Sequence, residues 1–220
     1  LTDLEPFRMA FIKVAELVNN LLKDGHEINS LDLGGGLGIS YKKTNDVQPS
    51  LQEYGQIIRE TVGSLGCEIL VEPGRFIVAN TAIIVSRVIY IKRSNNKNFI
   101  ILDAGMNDLM RPALYDAYHK IIPLIKNKKR IIKNVEFVGP ICESSDKFLR
   151  QNNFADIKEG DYVAITDVGA YGMSLTSNYN MRQIIAEIMI NRSKHKIIKK
   201  RQSLENLINK KFKIKLICFF

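Results

Sequence analysis

INSLDLGGGLGIS, residues 28–40, is the stretch on which the fold turns. A short apolar run at 28–33 passes without a break into GGGLG at 34–38. A strand that ends at once in a glycine-rich loop is how parallel α/β units present their chemistry, because helices cover the sheet faces and leave the strand ends open. The flanks keep the same rhythm. Upstream, Leu4, Phe7, Phe11, Val14, Leu17, Val18, Leu21 and Leu22 recur at helical spacing and predict one apolar stripe over 4–22. Thr2 and Glu5 stand at capping-box spacing, and Gly25 is placed to end the helix. Downstream, the pattern predicts a helix over 51–65, a strand over 67–71, and then EPGR at 72–75. Two such units cannot close a parallel barrel or bury both faces of a sheet, so residues 1–79 read as the back of something larger.

Beyond Arg75 the rhythm changes. Residues 85–91, 99–102, 135–138, 162–165 and 184–190 read as strands, divided by turn signals such as SNNKN and KEGD. A β-rich second domain over 80–220 follows, giving α/β plus β as the fold class. The chain of 220 residues, 45% hydrophobic and 25% charged, is composed like an ordinary globular protein with a sizeable core. The longest apolar run, FIVANTAIIVSRVIYI, is broken by Asn80, Thr81 and Arg87 and reads as strand rather than as a membrane span. No cleavable signal opens the chain, and it does not begin with methionine.

The net charge of +9 raises the question of nucleic acid, and its distribution answers against it. Residues 191–220 hold ten Lys or Arg and one Glu, which accounts for the whole excess and leaves the rest near neutral. A basic tail of this kind reads as a solvated face. Cys67, Cys142 and Cys218 are odd in number and far apart, without CxxC or a histidine cluster. Neither a disulfide framework nor a metal site is predicted, and a reducing cytoplasm is the expected compartment.

Each motif has a plain reading beside a functional one. GGGLG brings backbone amides close to an anion, or simply turns the chain. EPGR is a Pro-Gly turn between solvated charges, or a site after a strand. In DAGMNDLMRPALY, residues 103–115, Arg111 and Tyr115 grip a carboxylate or cover a loop. In GAYGMSLTSNYN, residues 169–180, Tyr171 faces a pocket or packs. GPICESSD, residues 139–146, sets Cys142 against Glu143, where the thiol either packs or carries a proton.

Taken together and in this order, GGGLGI, EPGR, DAGMNDLMRPALY, VGPICESSD, GAYGMSLTSNYN and RQSLENLI resemble the fold III pyridoxal-phosphate decarboxylases. Ornithine and arginine decarboxylases share the glycine and EPGR motifs, whereas the pairs Arg111/Tyr115 and Cys142/Glu143 are similar to the diaminopimelate decarboxylase branch. The resemblance runs from TDLEPF to about Leu207. It implies the last strands of a TIM-like, cofactor-binding α/β barrel over 1–79, followed by a C-terminal β-barrel or sandwich. It implies pyridoxal 5'-phosphate as cofactor, whose ring takes up the electrons left when CO2 departs from Cα.

By likeness, Gly35 and Gly36 with Glu72, Pro73, Gly74 and Arg75 contact the cofactor, Glu72 pairing with its ring nitrogen. Arg75 also reaches the substrate, and Tyr171 touches both. Arg111 and Tyr115 supply donors for the distal carboxylate of meso-diaminopimelate, and Glu143 supplies the anion for its distal ammonium. Lysine and ornithine, which lack that carboxylate, would leave the donors unpaired and be rejected. Cys142 is implied as the proton donor to Cα, since a thiol with an ordinary pKa of roughly 8.5 is mostly protonated near neutrality yet able to give the proton up. In this family the Cys/Glu loop completes a partner's site, so a homodimer with shared active sites is implied, with no nucleic-acid or membrane partner.

Two family features have no counterpart in the sequence: the cofactor lysine early in the barrel, and a histidine in a segment just ahead of TDLEPF. Lys42 and Lys43 do not stand at the lysine's place and read as solvated loop residues. The chain is therefore expected to be the C-terminal part of a decarboxylase completed by another half, inactive alone; the alternative is a non-catalytic remnant that pairs with another subunit. The terminal KKFKIKLICFF runs past the family's usual end.

Overall fold

The structure is a computed structural model that describes residues 2–42, 48–124 and 130–211, without the side chains of residues 210 and 211. Lys43, Cys218 and most of the terminal extension lie outside the described residues. The chain divides into two compact units. The first comprises Leu1–Ile84, Tyr118–Ile122 and Ile165–Ala170, and the second Val85–Ala117, Pro123–Ala164 and Tyr171–Phe220.

The first unit opens with helix α1, Glu5–Lys23. The expected Thr2 cap is not used; Glu5 N–H donates to Asp3 Oδ1 instead, at 3.0 Å. The helix ends where expected, at Gly25, whose φ of +87° only glycine adopts cheaply. Its buried face is narrower than the sequence stripe: Phe7, Phe11 and Val18 are buried, whereas Leu17 and Leu22 are exposed. Strand β1, Ser30–Asp32, then pairs in parallel with β2, Glu68–Leu70, Leu31 facing Ile69. Between them lies helix α2, Leu51–Thr61, whose Ser50 cap accepts the Glu53 N–H at 3.2 Å. Helix α2 stops at Thr61, short of the expected 65, and β1 and β2 are each shorter than their apolar runs. Phe7, Phe11, Leu37, Tyr54, Ile57 and Val62 form the core, with Tyr54 edge-on to Phe7 at 5.4 Å between centroids.

EPGR, expected as a loop, leads into a short helix α3, Gly74–Val78, and a 3-10 turn, Ala79–Thr81. The two returning segments pack here. Gly169 N–H donates to Ala79 O at 2.9 Å, and Val168 N–H to Ala82 O at 3.1 Å. A side chain at 169 would collide with the Val78 carbonyl, which is why GAYG begins with glycine. Ala170 closes a small buried cluster with Ile39 and Ala79, flanked by Tyr41 and Phe76. His119, wholly buried, has Nδ1 2.9 Å from Thr166 O and meets Tyr41 edge-on.

The second unit is built on a mixed sheet. After β3, Ile84–Arg93, and β4, Asn98–Leu102, comes helix α4, Arg111–Tyr115. Then follow β5, Ile121–Pro123, β6, Ile131–Val138, β7, Lys147–Ala155, and β8, Tyr162–Ile165. The strand order is β5–β8–β3–β4–β6–β7. Strands β3 and β4 are antiparallel, β4 and β6 parallel, and β6 and β7 antiparallel. The core holds Ile100, Leu102, Val135, Phe137 and Phe154, the last two rings edge-on at 4.8 Å. A separate hairpin pairs β9, Glu187–Asn191, with β10, Lys194–Lys199, and helix α5, Leu204–Lys211, follows. Residues 184–186, expected in a strand, are not in one; Ile184 instead exchanges bonds with Gln202.

Candidate functional site

In the first unit the loops after β1 and β2 are stitched together. Asp32 Oδ1 accepts the Gly34 N–H at 2.8 Å. Gly34 O accepts the Glu72 N–H at 2.8 Å, and Glu72 O accepts the Gly74 N–H at 2.8 Å. Gly34 and Gly36 hold φ of +69° and +97°, the left-handed region that favours glycine. Gly35 is required for a different reason. Its Cβ position lies inside contact distance of the Glu72 carbonyl oxygen and 3.2 Å from the carbonyl carbon. Gly35, Gly36, Glu72, Pro73, Gly74 and Arg75 thus share one end of the β1–β2 pair. Lys42, on the same stretch of chain, stands over the Tyr118 ring at 5.7 Å, a cation–π contact rather than a merely solvated side chain.

The remaining candidates belong to the second unit. Arg111 and Tyr115 stand four apart on α4, yet Arg111 is 5% exposed and Tyr115 65% exposed. Tyr171 is half-exposed with φ of +60°. A left-handed aromatic costs about 1–3 kcal/mol and marks a residue held by its surroundings. Cys142 and Glu143 are exposed on the turn between β6 and β7, and Cys67 and Cys142 are both free thiols.

That turn is fixed by Asp146, a buried residue that sequence reading left aside. Its Oδ2 accepts the Ile141 N–H at 2.7 Å and its Oδ1 the Met106 N–H at 2.7 Å. Burial pushes the Asp146 carboxyl above the ordinary range, against those two amides and Arg182. Gly139 is glycine because a Cβ there would sit 2.5 Å from Asp146 Cγ.

A second network ties residues 105–108 to 177–182. Asn107, fully buried, accepts from Arg182 Nε at 2.8 Å and donates to Asp108 Oδ1 at 3.0 Å. Ser177 N–H donates to Asn107 O at 3.0 Å. Burial raises the Asp108 carboxyl despite the Gly105 amide and the Arg182 guanidinium 3.5 Å away. The hydroxyl of Tyr179 donates to Glu143 Oε2 at 3.2 Å. Its pKa is raised, first by that hydrogen bond and then by the charge of Glu143. Tyr179, Asn107, Asp108, Asp146 and Arg182 all lie inside motifs legible in the sequence or directly beside them. Nothing in a polar residue's identity tells whether packing will bury it.

A family model described as "Pyridoxal-dependent decarboxylase, C-terminal sheet domain" matches residues 18–169. The diaminopimelate decarboxylase of Zymomonas mobilis subsp. mobilis is 42% identical over 97% of this chain and 50% of its own length. That of Aquifex aeolicus is 39% identical over 94% of this chain and 49% of its own length. Among solved structures, Helicobacter pylori diaminopimelate decarboxylase complexed with L-lysine superimposes with a TM-score of 0.88 at 40% identity, over 95% of this chain and 51% of that one. The chain spans about half the length of the curated relatives it matches. The matched span contains the stitched glycine and EPGR loops and the Asp146-anchored turn, so the chain belongs to the pyridoxal-dependent decarboxylase family.

Proposed function

We propose that this chain is the C-terminal half of a diaminopimelate decarboxylase, which converts meso-2,6-diaminopimelate to L-lysine and CO2 with pyridoxal 5'-phosphate. The observation that carries the reading is the close approach of Gly35 to the Glu72 carbonyl, which sets a glycine loop and a carboxylate at one strand end. Family membership and 42% identity to a diaminopimelate decarboxylase across 97% of the chain support it.

The residues present fit one side of the cofactor. Two left-handed glycines leave backbone in reach of a phosphate, and Glu72, exposed beside them, suits a protonated ring nitrogen. When bound, the cofactor supplies an electron sink for the bond that breaks. The chain's own residues would do the rest. Gly35, Gly36, Pro73 and Gly74 hold the phosphate side through backbone, and Glu72 keeps a proton on the ring nitrogen. Arg75 and Tyr171 orient cofactor and substrate, and the left-handed backbone of Tyr171 supports a held position. Arg111 and Tyr115 receive the distal carboxylate, Glu143 the distal ammonium, and the Cys142 thiol gives its proton to Cα. The exposure of Tyr115, Cys142 and Glu143 in the single chain supports a homodimer in which these side chains complete a partner's site. Residues 1–79 would be the last strands of a TIM-like barrel and 80–220 a β-barrel or sandwich, in a cytoplasmic enzyme; the two-stranded parallel pair β1–β2 supports the first.

Because the chain spans half of its relatives and none of its lysines matches the family's cofactor lysine, it is inactive alone in this reading. Co-expression with a relative's N-terminal half, joined or separate, is expected to restore CO2 release from meso-diaminopimelate. Cys142→Ala in that enzyme is expected to lower turnover by about 100-fold or more, the scale of a lost general acid. No CO2 from the completed enzyme would refute the decarboxylase reading in favour of a non-catalytic remnant. Unchanged turnover in Cys142→Ala would remove the thiol from the proton-donor role.

A further inference from the structure

We propose that Tyr179 is a positioning residue for Glu143, and that the turn 105–108 sets the distance between them. This rests on the reading above, in which Glu143 receives the substrate's distal ammonium. Tyr179 has no assigned part in that reading.

Glu143 is an exposed carboxylate on a turn, and left to itself it would sample several rotamers. The Tyr179 hydroxyl donates to its Oε2 at 3.2 Å. The other oxygen is thereby aimed, and a carboxylate aimed before its cation arrives binds it with less ordering cost.

Such an arrangement works only if both partners are themselves fixed, and the same four residues fix them. On one side, Met106 N–H donates to Asp146 Oδ1, and Ser145 Oγ lies 3.7 Å from Met106 Sδ. Asp146 also holds the chain on either side of Cys142 and Glu143: its Oδ2 takes the Ile141 N–H, its O takes the Gly139 N–H at 2.9 Å, and its N–H donates to Glu143 O at 3.1 Å. On the other side, Asn107 takes Ser177 N–H and Arg182 Nε, the two ends of the segment that carries Tyr179. Asn178 Nδ2 closes that segment by donating to Arg182 O at 2.7 Å. Its backbone is reversed at Asn180 and Met181, with φ of +53° and +57°. Adjacent residues of one turn, Met106 and Asn107, therefore carry the two loops. Gly105 is what lets Ile141 pack onto that turn, since a Cβ there would come within 3.0 Å of Ile141 Cδ1.

The test uses this chain as it stands, with 13C at tyrosine Cζ, the Tyr179 signal being the one lost in Tyr179→Phe. Tyr179 is expected to titrate above the ordinary tyrosine value of about 10, and to fall back toward it in Glu143→Gln. It should fall likewise in Asp146→Asn, which weakens the first clamp. It should also fall in Asn107→Ala, which removes the acceptor of Arg182 Nε from the second while leaving the Ser177 N–H to Asn107 O bond, with far-UV circular dichroism staying native in both. A Tyr179 midpoint at the ordinary tyrosine value of about 10 in the native chain, or unmoved by Glu143→Gln, overturns the contact. A midpoint unmoved by both clamp variants overturns the role of the turn. Should those variants not fold, hydrogen exchange on the native chain decides. The Met106, Ile141 and Ser177 amides, outside every strand, should exchange at least about tenfold below their intrinsic rates, and intrinsic rates overturn the clamp. These readouts need neither cofactor nor the other half, so they stand or fall apart from the decarboxylase reading. In the completed enzyme, Tyr179→Phe is expected to raise KM about tenfold with little change in kcat, as loss of ground-state positioning requires. A fall in kcat at constant KM overturns the positioning role.

Discussion

Gly35→Ala tests the geometry on which the proposed cofactor side depends. The new methyl would start inside the Glu72 carbonyl oxygen's contact distance, and 3.2 Å from its carbon, with backbone on both sides. Reaching ordinary separation requires the two loops to part by about 1 Å. That movement strains the Glu72 N–H to Gly34 O bond, now 2.8 Å, worth about 1 kcal/mol. Overpacking adds about 1–3 kcal/mol, so the expected loss is about 2–4 kcal/mol. At a urea slope of about 2 kcal/mol per molar, the midpoint falls by about 1–2 M. Ellipticity at 222 nm follows the right unit, since α1 and α2 supply most of the helix and both belong to it.

Two neighbours calibrate the result. Gly34 has open space around its Cβ position but φ of +69°, so Gly34→Ala should cost only about 1 kcal/mol, for the left-handed backbone. Gly74 has open space and no such φ, and it lies in a helix, so Gly74→Ala should be neutral or stabilise by about 0.5–1 kcal/mol. The order Gly35, Gly34, Gly74 is the signature. If Gly35→Ala costs no more than Gly34→Ala, the loops do not approach as described and the reasoning fails.

Two further outcomes follow from the same structure. Ser50→Ala removes the acceptor for the Glu53 N–H and should lower the 222 nm urea midpoint by the equivalent of about 1 kcal/mol; an unchanged midpoint would remove the cap. The Asp108 carboxyl, raised by burial, binds its proton more readily folded than unfolded. Its contribution to stability is therefore complete below the ordinary carboxylate pKa of about 3.9 and is lost as pH rises through the higher folded value. Urea midpoints of the native chain, taken relative to Asp108→Asn, should decline as pH is raised from that point, and a relative rise would contradict the sign.

Helix α1, the two strand-end loops and the family motifs were legible because they depend on local rules. Apolar residues at helical spacing, glycine where φ is positive, and turns after short apolar runs are written in consecutive residues. Strands β7 and β10 were not legible, since KFLRQNNFA and KHKIIK carry no apolar run and are strands only because a neighbour pairs with them. Leu17 and Leu22 share the apolar stripe of α1 but stay exposed among the described residues, so periodicity overstated what is buried there. Cys142 and Glu143 could be named from GPICESSD. Their setting could not, because Asp146 and Asn107 act through amides about 40 and 70 residues away in sequence. The sequence by itself determined which chemical groups the chain carries and in what order. Which of those groups are desolvated, and which two loops share the turn 105–108, was decided by tertiary packing, since burial and hydrogen-bond partnership are properties of neighbours that only the folded chain supplies.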